Sequence, residues 1–159
     1  MRWRFTDKVL AFEPWHTIVT LKAGTLEEYG LLERWGNPGE APAILALEAC
    51  IQSARWLTEA SSAFSQTIEP LEISHWQVME GLRPGECLRV NLHVEERSAE
   101  RIHFRAWQAR LAPGADVSVP PANDDTPSAA NLLFSAALMP LAEYALPFGR
   151  ECLWRELTA

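Results

Sequence analysis

Pro42-Ala43-Ile44-Leu45-Ala46-Leu47-Glu48-Ala49-Cys50-Ile51-Gln52 is the stretch whose reading decides the fold. From Pro42 to about Ala60 the chain is rich in Ala, Leu, Ile and Trp with no internal Gly or Pro, which predicts one long helix. A helix apolar on nearly all sides is expected to be buried, so this one is read as the structural axis. Glu48 breaks the apolar run. An ionised carboxylate in such surroundings is costly and either holds its proton or finds a partner, which is how a general acid or base is made.

Outward from this helix, the composition bounds the answer. With 159 residues, 48% of them hydrophobic and 22% charged, the chain is expected to form a single soluble domain over 1–159 with a real core. Seven tryptophans imply a large packed interior or a greasy cleft. The net charge of −7 and the lack of any Lys/Arg run exclude a nucleic-acid partner. Met1-Arg2-Trp3-Arg4-Phe5 leads into mixed sequence rather than a signal-peptide apolar region, and no stretch approaches a membrane span, so a cytoplasmic location is expected. Cys50, Cys87 and Cys152 are far apart and odd in number, with neither metal-ligand spacing nor a disulfide framework.

Before the helix, Val9–Phe12 and Thr17–Leu21 read as a hairpin turning at Pro14. Thr25 with Glu28 three residues on predicts a short helix over about 26–34, stopped by Asn37-Pro38-Gly39. After the long helix the pattern changes to strands over 68–78, 86–95 and 101–111, joined by Gly81–Gly85 and Glu96–Ala99. Leu88, Val90, Leu92 and Val94 alternate with Arg89, Asn91, His93 and Glu95, predicting one covered and one wetter face. Residues 112–130, rich in Pro and Asp, read as a flexible insertion at a hairpin tip. Asn131–Met139 returns as a last strand, and 141–159 forms a C-terminal extension with a short helix over 150–157.

These pieces add up to an α+β plan in which a curled antiparallel sheet wraps one long central helix, the hotdog fold. The residues add a resemblance. The stretch 42–52 is similar to the PGVLxxEALAQ segment of the FabA/FabZ-type 3-hydroxyacyl-acyl carrier protein dehydratases, sharing the proline, the Ile-Leu pair, the Glu-Ala pair and the glutamine. Asp7–Pro14 resembles that family's opening D-x-[VI]-L-x-x-x-P, and Leu82–Leu88 its later R-P-V-x-P-G-D-x-L. The three lie in register over roughly residues 5–140.

The resemblance implies a dehydratase-type protein of fatty acid or polyketide metabolism that takes an acyl thioester on acyl carrier protein or coenzyme A and needs no cofactor or metal. It implies Glu48 as the helix carboxylate with Gln52 one turn on, and a substrate-binding segment containing Arg34, Trp35, Gly39, Pro42 and Ala43. The pattern departs at the family's histidine, just before the helix: ungapped alignment places Arg34 there, and a two-residue deletion places Gly36. Arginine stays protonated and cannot act as the general base. The site is therefore altered or lost, and two readings of Glu48 stand: a tunnel-facing catalytic group, or a remnant satisfied by Gln52 or Arg55.

Two further functions stay open. One is a non-catalytic acyl-thioester-binding subunit, as homodimer or as heterodimer with a related hotdog subunit that brings the histidine. The other is a hotdog thioesterase in which Glu48 activates water. Arg34, Arg83, Arg97 and Arg101 are the cations available to an acidic carrier protein. His16 and His75 read as surface or edge residues, His93 and His103 as opposed places in a hairpin with no third metal ligand, and Cys50 as a small core residue.

Overall fold

Pro14 and Trp15 reverse the chain in a type II turn. The His16 N–H donates to the Glu13 carbonyl at 3.1 Å, and Trp15 carries the positive φ of 58° that this turn demands of its third residue. That φ costs a tryptophan roughly 1 kcal/mol or more, since Gly or Asn is the ordinary occupant. Two contacts hold it there: the Trp15 N–H donates to Ser61 Oγ at 2.7 Å, and the Arg97 guanidinium lies 4.0 Å over the indole.

The structure, a computed structural model, describes residues 6–24, 43–77, 82–117, 132–141 and 147–159. In chain order the elements are β1 (Lys8–Glu13), β2 (Thr17–Ala23), α1 (Ala43–Ser61), β3 (Gln66–Trp76), β4 (Cys87–Arg97), β5 (Arg101–Leu111), β6 (Leu132–Pro140) and α2 (Pro147–Thr158). The strands form one sheet in the order β1-β2-β4-β5-β6-β3, every neighbouring pair antiparallel. The long helix forms as its pattern predicts and packs across β2, β3, β4 and β5. The helix expected over 26–34 and the insertion beyond Val117 lie outside the described residues.

Turn chemistry explains the entry to β4. Pro84 and Gly85 make a second type II turn, with the Glu86 N–H on the Arg83 carbonyl at 3.1 Å and Gly85 at φ 83°. The turn abuts Gly24 at the end of β2: the Gly24 N–H donates to Glu86 O at 2.8 Å and its carbonyl accepts from Gly85 at 3.1 Å. In β3, an edge strand, Pro70 is tolerated because no further strand needs its missing N–H, and the register shifts between Pro70 and Glu72.

One expectation is corrected in β4. Its second face is not uniformly wet: Arg89 and Asn91 are each only 6% exposed. Arg89 bonds Asn91 Oδ1 at 3.3 Å and the Val117 carbonyl at 3.4 Å, so residues after β5 fold over this face and make burial tolerable. On β5 every second residue is buried: Ile102, Phe104, Ala106 and Gln108.

Candidate functional site

At about 100° per residue, α1 sorts its side chains into two faces. Cys50, Ser53, Ala54 and Leu57 turn to the sheet and have no accessible surface. Ile44, Glu48, Ile51, Gln52 and Arg55 fall on the opposite stripe, where Ile44 is 52% exposed and the others are half-buried. The helix is thus less enclosed than an all-apolar reading predicts. The sheet takes only one side of it, and Glu48 lies on the other with its side chain 35% exposed.

Glu48 has neighbours on its own helix. Gln52 Nε2 donates to Glu48 Oε1 at 3.4 Å, and Arg55 Nη1 stands 3.9 Å from the same oxygen. The spacing i, i+4, i+7 brings these three together, as the sequence places them. The amide donor and the guanidinium converge on one carboxylate oxygen. Glu48 also follows the first turn of α1 closely, where the leading backbone N–H groups have no partner within the helix and favour developing negative charge. A carboxylate steadied by an amide and a guanidinium is a group that can take a proton from water. Of the other residues singled out from the sequence, Ala43 begins α1, while Arg34, Trp35, Gly39 and Pro42 lie outside the described residues.

The interior carboxylate is a different one. Glu59 is 2% exposed. Its Oε2 accepts from Arg150 Nε and Nη2, both at 2.6 Å, and its Oε1 accepts from Thr67 at 2.7 Å. Burial pushes its pKa up, opposed by the Arg150 charge and the Thr67 hydrogen bond. Arg150 also lies 3.8 Å over the Trp56 ring, and Trp154 of α2 meets Phe12 and Trp56. The Arg150 and Trp154 contacts fasten α2 to α1 and β1, so Glu59 works as an anchor. The sequence offered one signal for it: position 59 falls three turns after Glu48 on the same helix, with an arginine in the C-terminal segment to meet it.

Polar contacts also cross from α1 to the sheet. Ser53 gives its proton to the Ala49 carbonyl at 2.7 Å, so Thr20 of β2 donates to Ser53 Oγ at 2.7 Å. Gln108 of β5 donates to the Ala46 carbonyl at 2.6 Å and lies 3.0 Å from Cys50 Sγ. Burial pushes the Cys50 thiol up to about 12, only partly offset by Gln108, which makes it unreactive as expected.

No histidine lies on α1. His16 sits at the hairpin tip, its Nδ1 2.9 Å from Glu13 Oε2, and its ring is 6.0 Å from that of His93, which meets Trp107 at 5.1 Å. His75 is exposed on edge strand β3. The expected opposition of His93 and His103 is corrected: the register that runs unbroken from Cys87↔Leu111 pairs His93 with Arg105, and the bulge between Val94 and Glu96 moves His103 opposite Glu96. Among the described residues no group of three His, Cys, Asp or Glu is placed to hold a metal ion, and no helix is long and apolar enough to cross a membrane.

No family model matches this chain, and no curated protein matches it. Solved structures do share its fold. One is a Streptococcus mutans protein bound to acetyl CoA, 11% identical, covering 88% of this chain and 91% of that one at a TM-score of 0.55. Another is a hypothetical thioesterase with coenzyme A from Streptococcus pneumoniae, 10% identical, covering 84% and 83% at a TM-score of 0.51. At such identity the likeness is one of fold.

Proposed function

We propose that this chain is a hotdog protein that binds acyl thioesters of coenzyme A and hydrolyses them, with Glu48 as the group that activates water. The observation that carries the reading is the placement of Glu48: a half-exposed carboxylate on the open stripe of α1, steadied by Gln52 and Arg55 and flanked by Ile44 and Ile51. Glu48 takes a proton from water as its oxygen adds to the thioester carbonyl, and the oxyanion draws on the leading amides of α1. Collapse expels the thiolate, which is protonated to the free thiol, and leaves a carboxylic acid. To the segment before the helix, with Arg34, Trp35, Gly39 and Pro42, and to Ala43 at the start of α1, we assign the approach of the pantetheine arm. The shared fold with the acetyl-CoA and coenzyme A complexes supports this choice of ligand.

The test is release of free thiol from acyl-CoA. The wild-type chain is expected to turn over, and Glu48→Gln to lose at least about a hundredfold in kcat with its fold retained. Equal rates in both proteins rule the mechanism out.

A second reading, supported by a separate observation, is water elimination from a 3-hydroxyacyl thioester with a histidine from another hotdog subunit. Within this chain Trp15, the neighbour of His16, bonds Ser61, thirteen residues and about 20 Å along α1 from Glu48, and the His93 ring lies 6.0 Å from that of His16. The edge strand β3 exposes Leu71 at 50% and Ile73 at 43%, surface that a second subunit, alike or related, covers in this reading. Elimination that requires a second subunit, with no thiol release by this chain alone, replaces the first reading with this one.

A further inference from the structure

The C-terminal helix α2 is joined to the body of the protein by side chains. Among the described residues no backbone hydrogen bond links it to another element, whereas every strand is tied to a neighbour through its main chain. Arg150 grips Glu59 and lies over Trp56, Trp154 meets Phe12 and Trp56, and Leu157 is buried. On the far side Glu151 and Arg155 pair with each other, and Cys152 is exposed. Lifting α2 therefore breaks no ladder of the sheet and no turn of α1. Twelve residues make a marginal helix in water, so α2 once lifted also gives up the protection of its own amides.

The carboxyl group beneath α2 makes this hold depend on protons. Glu59 is sealed while α2 is in place, and the groups that face it are Arg150 from α2, Thr67 from β3 and Arg55 from its own helix. Burial raises its pKa by more than these three lower it. When α2 leaves, water reaches the carboxyl group and its ordinary acidity returns. Docking thus favours the protonated acid: its support is complete below the ordinary value of 4.5 and is lost as pH rises through the docked value. Arg150 limits that loss without cancelling it.

We propose that α2 is a latch that opens as a unit while the sheet and α1 stay folded, and that the charge on Glu59 sets how often it opens, more as pH rises. Native-state hydrogen exchange of the full chain at low urea concentrations tests this. Relative to their intrinsic rates, the amides of Glu151–Thr158 are expected to exchange at least about tenfold faster than those of Ile102–Ala106 in β5. Their exchange should depend little on urea, whereas that of β5 follows global unfolding. Arg150→Ala leaves the sealed carboxylate unmatched and is expected to lower α2 protection by about a hundredfold. Between pH 5 and 8, α2 protection is expected to fall in wild type and to stay level in Glu59→Gln, which keeps the side-chain shape and loses the titration. Should Arg150→Ala not fold, wild type and Glu59→Gln carry the test by themselves. One protection factor and one urea slope shared by α2 and β5 overturn the latch. The same pH course in wild type and Glu59→Gln overturns its control by Glu59.

Discussion

Arg150 reaches Glu59 with two nitrogens, Nε and Nη2, each 2.6 Å from the same carboxylate oxygen, and so ties the C-terminal helix to the long one. Removing the cation strands a buried carboxylate. Arg150→Ala is expected to cost about 3 kcal/mol at pH 7, measured by urea unfolding, and less near pH 4, where Glu59 takes up a proton.

The same pair fixes a pH dependence. The Glu59 pKa is raised above its ordinary 4.5, so its contribution to stability is complete below pH 4.5. As pH rises, the unfolded chain releases this proton first, and the contribution is lost through the folded-state value. Unfolding curves between pH 4 and 8 are expected to show Glu59→Gln gaining stability relative to wild type as pH rises. A flat difference refutes the shift.

Thr20 and Ser53 make a buried hydroxyl pair, and the two are expected to be coupled. Ser53→Ala leaves the Thr20 hydroxyl dry and unmatched, at about 1–2 kcal/mol; Thr20→Val with Ser53→Ala removes both groups and recovers most of that loss. A double-mutant cycle in urea reads the coupling directly, and simple additivity of the two single changes contradicts it.

Two glycines mark the turn into β4. A Cβ on Gly24 meets the Arg83 carbonyl at 2.7 Å, backbone against backbone, so Gly24→Ala is expected to cost about 2 kcal/mol or more. Gly85→Ala meets only ordinary contact with the Pro113 ring, at 3.6 Å, but keeps φ at 83°, for about 1 kcal/mol. Thermal unfolding ranks the two.

The thiols are expected to separate by reactivity. Cys152 is exposed, Cys87 is half-buried with its pKa raised by burial and by Asp7, and Cys50 is sealed at about 12. Alkylation with iodoacetamide at pH 8, followed by mass spectrometry, should label Cys152 first and Cys50 only on unfolding.

The fold was legible where local rules act alone. Pro14 set the hairpin and the uninterrupted Ala/Leu/Ile run set α1, each a pattern carried within a few neighbours. What depended on distant partners was not. Glu48 stood out because its immediate neighbours are apolar, yet its surroundings in space are half open, whereas Glu59 is enclosed by Arg150 and Thr67 from other elements. Likewise Arg89 and Asn91 read as solvent-facing until the chain after β5 covers them. Periodicity tells which way a side chain points and nothing of what later arrives above it. Of the proposed site, Glu48, Gln52 and Arg55 were readable from i, i+4, i+7 spacing alone.

Because Glu59 follows Glu48 by three turns on one stripe of α1, that stripe passes along its length from half-open to sealed, and the same residue type meets opposite demands at its two ends. A carboxylate exchanged for an amide at 48 leaves the core untouched, whereas the same exchange at 59 changes what Arg150 and Thr67 grip.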